Sequence, residues 1–292
     1  MCDDNTVNDN EQYLQRAGRL SRRQFTALTT GTALSMMLPS VAHAVAVTEQ
    51  DVKIPTPDGT ADAYFVHPAE GAHAAVLVWP DVLGLRPAFR AMGKRLAESG
   101  YVVLVVNPYY RNSTAPVVPE GASFQDESTR NRVLPMARSL SPETVVTDAA
   151  AFVAYLDHQS AVDTSRKIGT TGYCMGGPFT MRTAAALPER VGAGASFHGG
   201  GLVTDGDDSP HLLVPKMRAH YLFAIAENDD EREPDAKNVL RKSFADAGLP
   251  AEIEVYAGAL HGWCPPDSRV YNEAQAERAW SRMLALFDTA LA

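Results

Sequence analysis

From about residue 51 to the C-terminus, apolar runs of strand length alternate with stretches of helical spacing. Ala74–Trp79 and Tyr101–Val106 are unbroken apolar runs, and Ala219–Ala226 is apolar apart from His220. Central strands of a parallel sheet, covered on both faces, read this way. Lys167–Thr171 and Gly192–Phe197 are shorter strand-like runs, the second built of small residues. Ala251–Tyr256 alternates apolar and charged residues, as an edge strand does. Helical segments lie between and after them. Ala88–Ser99 places Phe89, Met92 and Leu96 together and stops at Gly100. Ser141-Pro142 caps a helix reaching about His158, with Val145, Ala149, Phe152, Val153 and Leu156 on one side. Pro234–Ala247 stops at Gly248, and Tyr271–Ala290 is amphipathic through Trp280, Met283, Leu284 and Phe287. At the front, Asp51–Pro68 reads as a hairpin around Pro57-Asp58-Gly59. Asn107–Leu140 is a long irregular segment with a short helix near Glu127–Arg138, expected to form a rim or lid. A second loop runs from His198 to Val214, and Glu227–Glu231 is a charged turn. Strand and helix in alternation imply one α/β domain, a doubly wound and mostly parallel sheet with helices on both faces. No internal repeat is visible.

In such a sheet, ligands meet the loops at the carboxyl ends of the strands. One of those loops is Gly172-Tyr173-Cys174-Met175-Gly176-Gly177, placed between a strand and a helix. Gly-x-nucleophile-x-Gly is a nucleophile elbow, here with cysteine in the central place. Glycines are needed where the turn is crowded, and the helix N-terminus beyond favours a thiolate. A buried core cysteine in a glycine-containing turn is the plain alternative. Three more such loops carry Asp81, Asp229 and His261. Cys174, Asp229 and His261 follow the order nucleophile, acid, base of the α/β-hydrolases. The types suit acyl transfer: a thiolate attacks, an imidazole moves the proton, and a carboxylate orients the imidazole. Asp230 is an adjacent competitor for the acid, and either aspartate would also serve as a helix cap.

Charge and composition narrow the partners. The chain of 292 residues is 45% hydrophobic and 21% charged, with a net charge of -9. An acidic chain without a basic cluster is not built for nucleic acid. No apolar run is long enough to span a bilayer, so no stable membrane anchor is expected. Residues 1–44 read as a separate element. Ser21-Arg22-Arg23-Gln24-Phe25 precedes a mildly apolar run, which ends in Ala42-His43-Ala44, a small-residue cleavage site. Paired arginines before a weak apolar core resemble a twin-arginine signal, with Thr26-Ala27 departing from the usual continuation. The expectation is recognition by the twin-arginine machinery, cleavage after Ala44, and a mature domain over 45–292 in the periplasm or outside the cell. Cys2 would leave with the signal; Cys174 and Cys264 would remain, ninety positions apart. That spacing offers no disulfide framework and no metal motif.

The pieces together resemble the dienelactone hydrolase family (carboxymethylenebutenolidase-like). They are the elbow, Ala226-Glu227-Asn228-Asp229, Tyr256-Ala257-Gly258-Ala259-Leu260-His261-Gly262, and Trp79-Pro80-Asp81-Val82-Leu83-Gly84-Leu85. The resemblance covers about Val52 to Leu291 and implies a cofactor-independent hydrolase of small esters or lactones, compatible with a monomer. It assigns Cys174 as nucleophile, His261 as general base and Asp229 as its orienting acid. It implies an oxyanion hole from the backbone N–H groups of Met175 and Val82. It also implies that a carboxylate in the loop after the first central strand engages the resting thiol. Asp81 stands there with a shorter arm than the glutamate of the best-known members. Arg111 lies near, but one residue off, the place of a substrate-binding arginine. His198 and Trp263 are further candidates for the pocket wall. Two other readings stay open: a fold-retaining binding protein without turnover, and a thiol redox protein using Cys174 and Cys264.

Overall fold

The computed structural model describes residue 10 and residues 38–292. The expected signal over 1–44 therefore lies largely outside the described residues. β1 (Val47–Thr56) and β2 (Gly59–Pro68) form the hairpin, with Thr56 opposite Gly59 across Pro57-Asp58. β2 pairs antiparallel with β4 (Val102–Val106). From there the sheet is parallel: β3 (Ala75–Trp79), β5 (Ile168–Tyr173), β6 (Val191–Phe197), β7 (His220–Ala226) and β8 (Ala251–Tyr256). The order is β1-β2-β4-β3-β5-β6-β7-β8. β8 lies at an edge, as its alternation predicts. Its outward Glu252 and Glu254 pair with Arg282 and Arg278.

Every residue of β3 and β4 is buried, because helices cover both faces of these strands. α1 (Pro87–Glu98) and α7 (Glu273–Ala290) cover one face. There Val76, Val78, Val103 and Val105 pack with Phe89, Met92, Met283 and Phe287. On the other face Leu77, Trp79, Leu104 and Val106 pack with Phe152, Met181 and Phe244. These come from α3 (Pro142–Asp157), α4 (Gly176–Ala186) and α6 (Ala236–Asp246). α3 opens with a capping box, Ser141 and Thr144 each bonding the other's backbone N–H.

The long segment after β4 holds α2 (Glu127–Arg138), within the bounds the sequence suggests. Its Val133 joins Val82, Leu83, Tyr109, Val117 and Met175 in a small apolar cluster above the sheet. Two stretches differ from expectation. Glu227–Arg232 is a short helix, α5, rather than a turn. Its acidic first turn lies at the positive end of the helix, which stabilises it. Pro210–Lys216 forms 3-10 turns inside a segment expected to be loop.

The order reverses at β3: the chain goes to β4 on one side and to β5 on the other. Ligand crevices form at such switch points, outside the carboxyl ends of the strands. The Pro80 loop after β3 and the elbow after β5 are thereby neighbours.

Candidate active site

The elbow is made by crowding. Cys174 has φ +53°, a left-handed conformation that costs a non-glycine residue energy. The turn holds it through Cys174 N–H to Phe197 O at 3.0 Å and Gly177 N–H to Cys174 O at 3.1 Å. A Cβ on Gly172 would lie 2.0 Å from the Gly176 carbonyl oxygen. One on Gly176 would lie 2.4 Å from the Trp79 carbonyl oxygen. Only glycine lets α4 start this close to β3 and β5. Met175 is the N-cap of α4, so it sits where the helix leaves first-turn amides without intrahelical acceptors.

Asp229 arrives on α5, directly after β7, and His261 on the loop after β8. His261 Nδ1 bonds Asp229 Oδ2 at 2.7 Å, and both residues are buried. That bond places the proton on Nδ1 and leaves Nε2 as the acceptor. Asp229 Oδ1 takes a second bond from Arg232 at 3.1 Å. The competitor Asp230 is occupied by Lys237 at 2.6 Å. Asn228, which the sequence reading passed over, accepts from the His261 backbone N–H at 2.9 Å. The Asn228-Asp229 pair thus fixes both the backbone and the ring of one histidine. Asn228 also donates to Asn10 Oδ1 at 2.6 Å, while Asn10 donates to His261 O at 3.1 Å.

Cys174, His198, His261, Asp81, Val82 and Arg86 line one pocket, about 650 Å³ of empty space including its open mouth. Residues 122–125, from the expected rim, and 267–270 also line it. The 199–215 loop does not line it. Tyr109 ties two members together: its hydroxyl donates to Val82 O at 2.9 Å and lies 3.4 Å from Met175 Sδ. Burial, then the charge of Asp81, pushes its phenol well above the usual value, so it stays protonated as a donor.

Three expectations change. Asp81 is at the pocket, but both its oxygens are bonded by Arg86, at 2.6 and 3.0 Å, and Oδ1 also accepts from Leu83 N–H. Its evident task is to hold a guanidinium, and the bidentate fork fixes it there. Arg111 does not join the pocket. It pairs with Asp58 and Asp148 and stacks on Tyr110, because α3 offers the buried Asp148 carboxylate. Trp263 is fully buried behind the pocket, stacked on Tyr256 with centroids 5.4 Å apart. It supports His198, whose ring it meets at 5.0 Å.

The two cysteines do not pair: Cys174 is disulfide-bonded and Cys264 is free. The third cysteine of the chain, Cys2, lies outside the described residues. Cys264 is buried beside Tyr173, Phe197 and Met283, and burial raises its thiol pKa well above the usual value. Among the described residues, no group of His, Cys, Asp and Glu could hold a metal ion.

His198 is fully buried at φ +39°, and among the described residues neither ring nitrogen has a hydrogen-bond partner. Its ring meets His261 edge-on at 5.1 Å. Burial, then the nearness of His261, lowers its pKa well below the usual value. The unfolded chain therefore binds a proton that the fold refuses once pH drops below ~6.5. This contribution is complete above that pH and is lost on acidification, at up to ~1.4 kcal/mol per pH unit. Thermal melts from pH 7.5 to 5.5 are expected to show a falling midpoint, flattened in His198→Gln. Equal slopes in both proteins would remove His198 as the cause.

Residues 61–291 match the pattern of the Dienelactone hydrolase family. The chain is 27% identical over 277 residues to a putative carboxymethylenebutenolidase of Methylorubrum extorquens, covering 90% of this chain and 91% of that one. It is 24% identical over 235 residues to a carboxymethylenebutenolidase of Rhodococcus opacus, covering 79% and 87%. Among solved structures it is similar to a putative dienelactone hydrolase from Klebsiella pneumoniae, with TM-score 0.71 and 22% identity. That match covers 83% of this chain and 99% of that one. A dienelactone hydrolase from Anabaena variabilis gives TM-score 0.60 and 17% identity, covering 84% and 99%. At these identities the structures bear on the fold, which is that of the α/β-hydrolases.

Proposed function

The chain belongs to the dienelactone hydrolase family and is an ester or lactone hydrolase, and on that premise we propose that Cys174 is its nucleophile and that the reaction passes through a thioacyl-enzyme. The observation that carries this is the 2.7 Å His261–Asp229 bond, made by a histidine that lines the same pocket as the strained Cys174 elbow. His261 Nε2 takes the proton from Cys174 Sγ, and the thiolate attacks the acyl carbon. The oxyanion is met by the N–H groups of Met175 and Val82, each such donor being worth ~3 kcal/mol in the transition state. Collapse breaks the C–O bond, and the imidazolium gives its proton to the departing oxygen. Water then attacks the thioester while His261 takes its proton, and Cys174 leaves as the thiol once reprotonated. A thiolate suits esters with good leaving groups, such as aryl or enol esters and lactones.

This chemistry starts from the reduced thiol, so the disulfide at Cys174 must open first. Full-length protein is expected to hydrolyse aryl esters and lactones after treatment with a thiol reductant, and far more slowly before it. Cys264→Ser is expected to retain the activity, since that thiol is buried away from the pocket. No turnover of a broad ester and lactone panel by reduced protein would refute the mechanism.

We further propose export by the twin-arginine route, with cleavage after Ala44. The exposed run Ala42–Ala46 supports access by a peptidase. The expected result is periplasmic protein beginning at Val45, abolished by Arg22→Lys/Arg23→Lys. Full-length protein retained in the cytosol would oppose it. No helix among the described residues is long and apolar enough to cross a membrane.

A further inference from the structure

A guanidinium lining the pocket of the candidate nucleophile is already saturated. Arg86 is 6% exposed and lies against the pocket between two carboxylates. Its Nη1 and Nη2 bond Asp81 at 2.6 and 3.0 Å. Its Nε and Nη2 bond Asp267 at 2.6 and 2.9 Å. Nη1 also reaches Gly84 O at 3.3 Å. Arg269, which lines the same pocket, is held by Asp126 at 3.0 Å and Gln125 at 3.0 Å. Among the described residues, the charged side chains lining the pocket are Arg86, Arg269, Asp81 and Asp267, with Asp126 paired to Arg269. An entering carboxylate would find each fork engaged and would have to displace an aspartate from a desolvated bidentate pair.

Resting on the ester and lactone reading above, we propose that the Asp81–Arg86–Asp267 clamp makes this pocket select neutral esters or lactones over carboxylated ones, with Asp267 as the residue that sets the preference. Asp81 is tied into the loop by Leu83 N–H, so it holds Arg86 from within its own turn. Asp267 comes from the loop after His261, 24% exposed at its side chain, and neutralises the edge of Arg86 that faces that loop. Taking its charge away leaves Arg86 with one carboxylate instead of two, and a substrate anion becomes the second.

Binding tests the proposal without requiring turnover. A lactone carrying a free carboxylate and its methyl ester are titrated into full-chain Cys174→Ala by calorimetry, beside Cys174→Ala/Asp267→Asn. The first variant is expected to bind the methyl ester about 100-fold more tightly, the scale of one uncompensated like charge. Adding Asp267→Asn is expected to move the ratio at least ~10-fold toward the carboxylate. Asp126→Asn in the same background, read by the same ratio, reports what Arg269 offers once its own carboxylate is gone. Equal or tighter binding of the carboxylate by Cys174→Ala overturns the proposal, as does binding of neither ligand. A ratio unmoved by Asp267→Asn, with an unchanged melting midpoint, removes Asp267 from the role. Failure of the hydrolysis assay with selective binding intact would count against the thioacyl mechanism alone.

Discussion

Reduced Cys174→Ala protein is expected to hydrolyse an aryl ester about 10^4-fold more slowly than the unmodified chain, or worse. If Cys174 is the nucleophile proposed above, its removal costs about as much as removing the whole triad, because the members of a triad act as a unit. What survives is the oxyanion site and substrate binding. The melting midpoint should move little, since Cys174 occupies a strained turn and a small side chain is being made smaller. Steady-state kinetics with a reductant present, set beside a melt of the same sample, separate chemistry from folding. Activity within ~10-fold of the unmodified chain would end the case for a thioacyl-enzyme.

Gly176→Val should be the most damaging single change to the fold around the site. A Cβ there would sit 2.4 Å from Trp79 O and 2.8 Å from Pro80 O, both backbone atoms. Neither can swing aside as a side chain would, so α4 must move away from the end of β3. The cost is expected to be ~3 kcal/mol or more, the upper range for overpacking. The same displacement separates Met175 from Val82 and opens the oxyanion site. Denaturant unfolding and ester kinetics are therefore expected to fail together. A variant that melts normally but is inactive would mean that the elbow shifts without strain on the sheet.

Much of the architecture was legible because its cause is local. β3 and β4 read as unbroken apolar runs because both faces are covered, and β8 alternates because it is an edge. α3 was marked by Ser141-Pro142, whose cap is present. α5 was missed because a six-residue helix has no apolar stripe; its formation follows from the anchoring of Glu227 N–H to Ala259 O and the acidic first turn. The 3-10 turns at Pro210–Lys216 carry no periodicity to detect.

The site divides in the same way. Cys174, Asp229 and His261 stand out in the sequence as candidates because a strained elbow demands glycines and because their order along the chain is that of nucleophile, acid and base. Between Asp229 and Asp230 the resemblance favours Asp229, with its neighbour left as a competitor. The helix separates them: one turns to His261 and the other to Lys237. Arg111 looked eligible by position, yet a carboxylate on a neighbouring helix claims it. Arg86 and Asp267 were not noticed, being 181 residues apart and meeting only when the loops after β3 and β8 converge.

By itself, then, the sequence determined the alternation of layers, the elbow and the reacting types. Each follows from periodicity or from steric demand within a few residues. Tertiary structure decided which carboxylate serves the histidine, which arginine faces the pocket, and that this arginine is already neutralised. Ion pairs form between side chains that the fold brings within about 3 Å, and no local pattern in the chain records that distance.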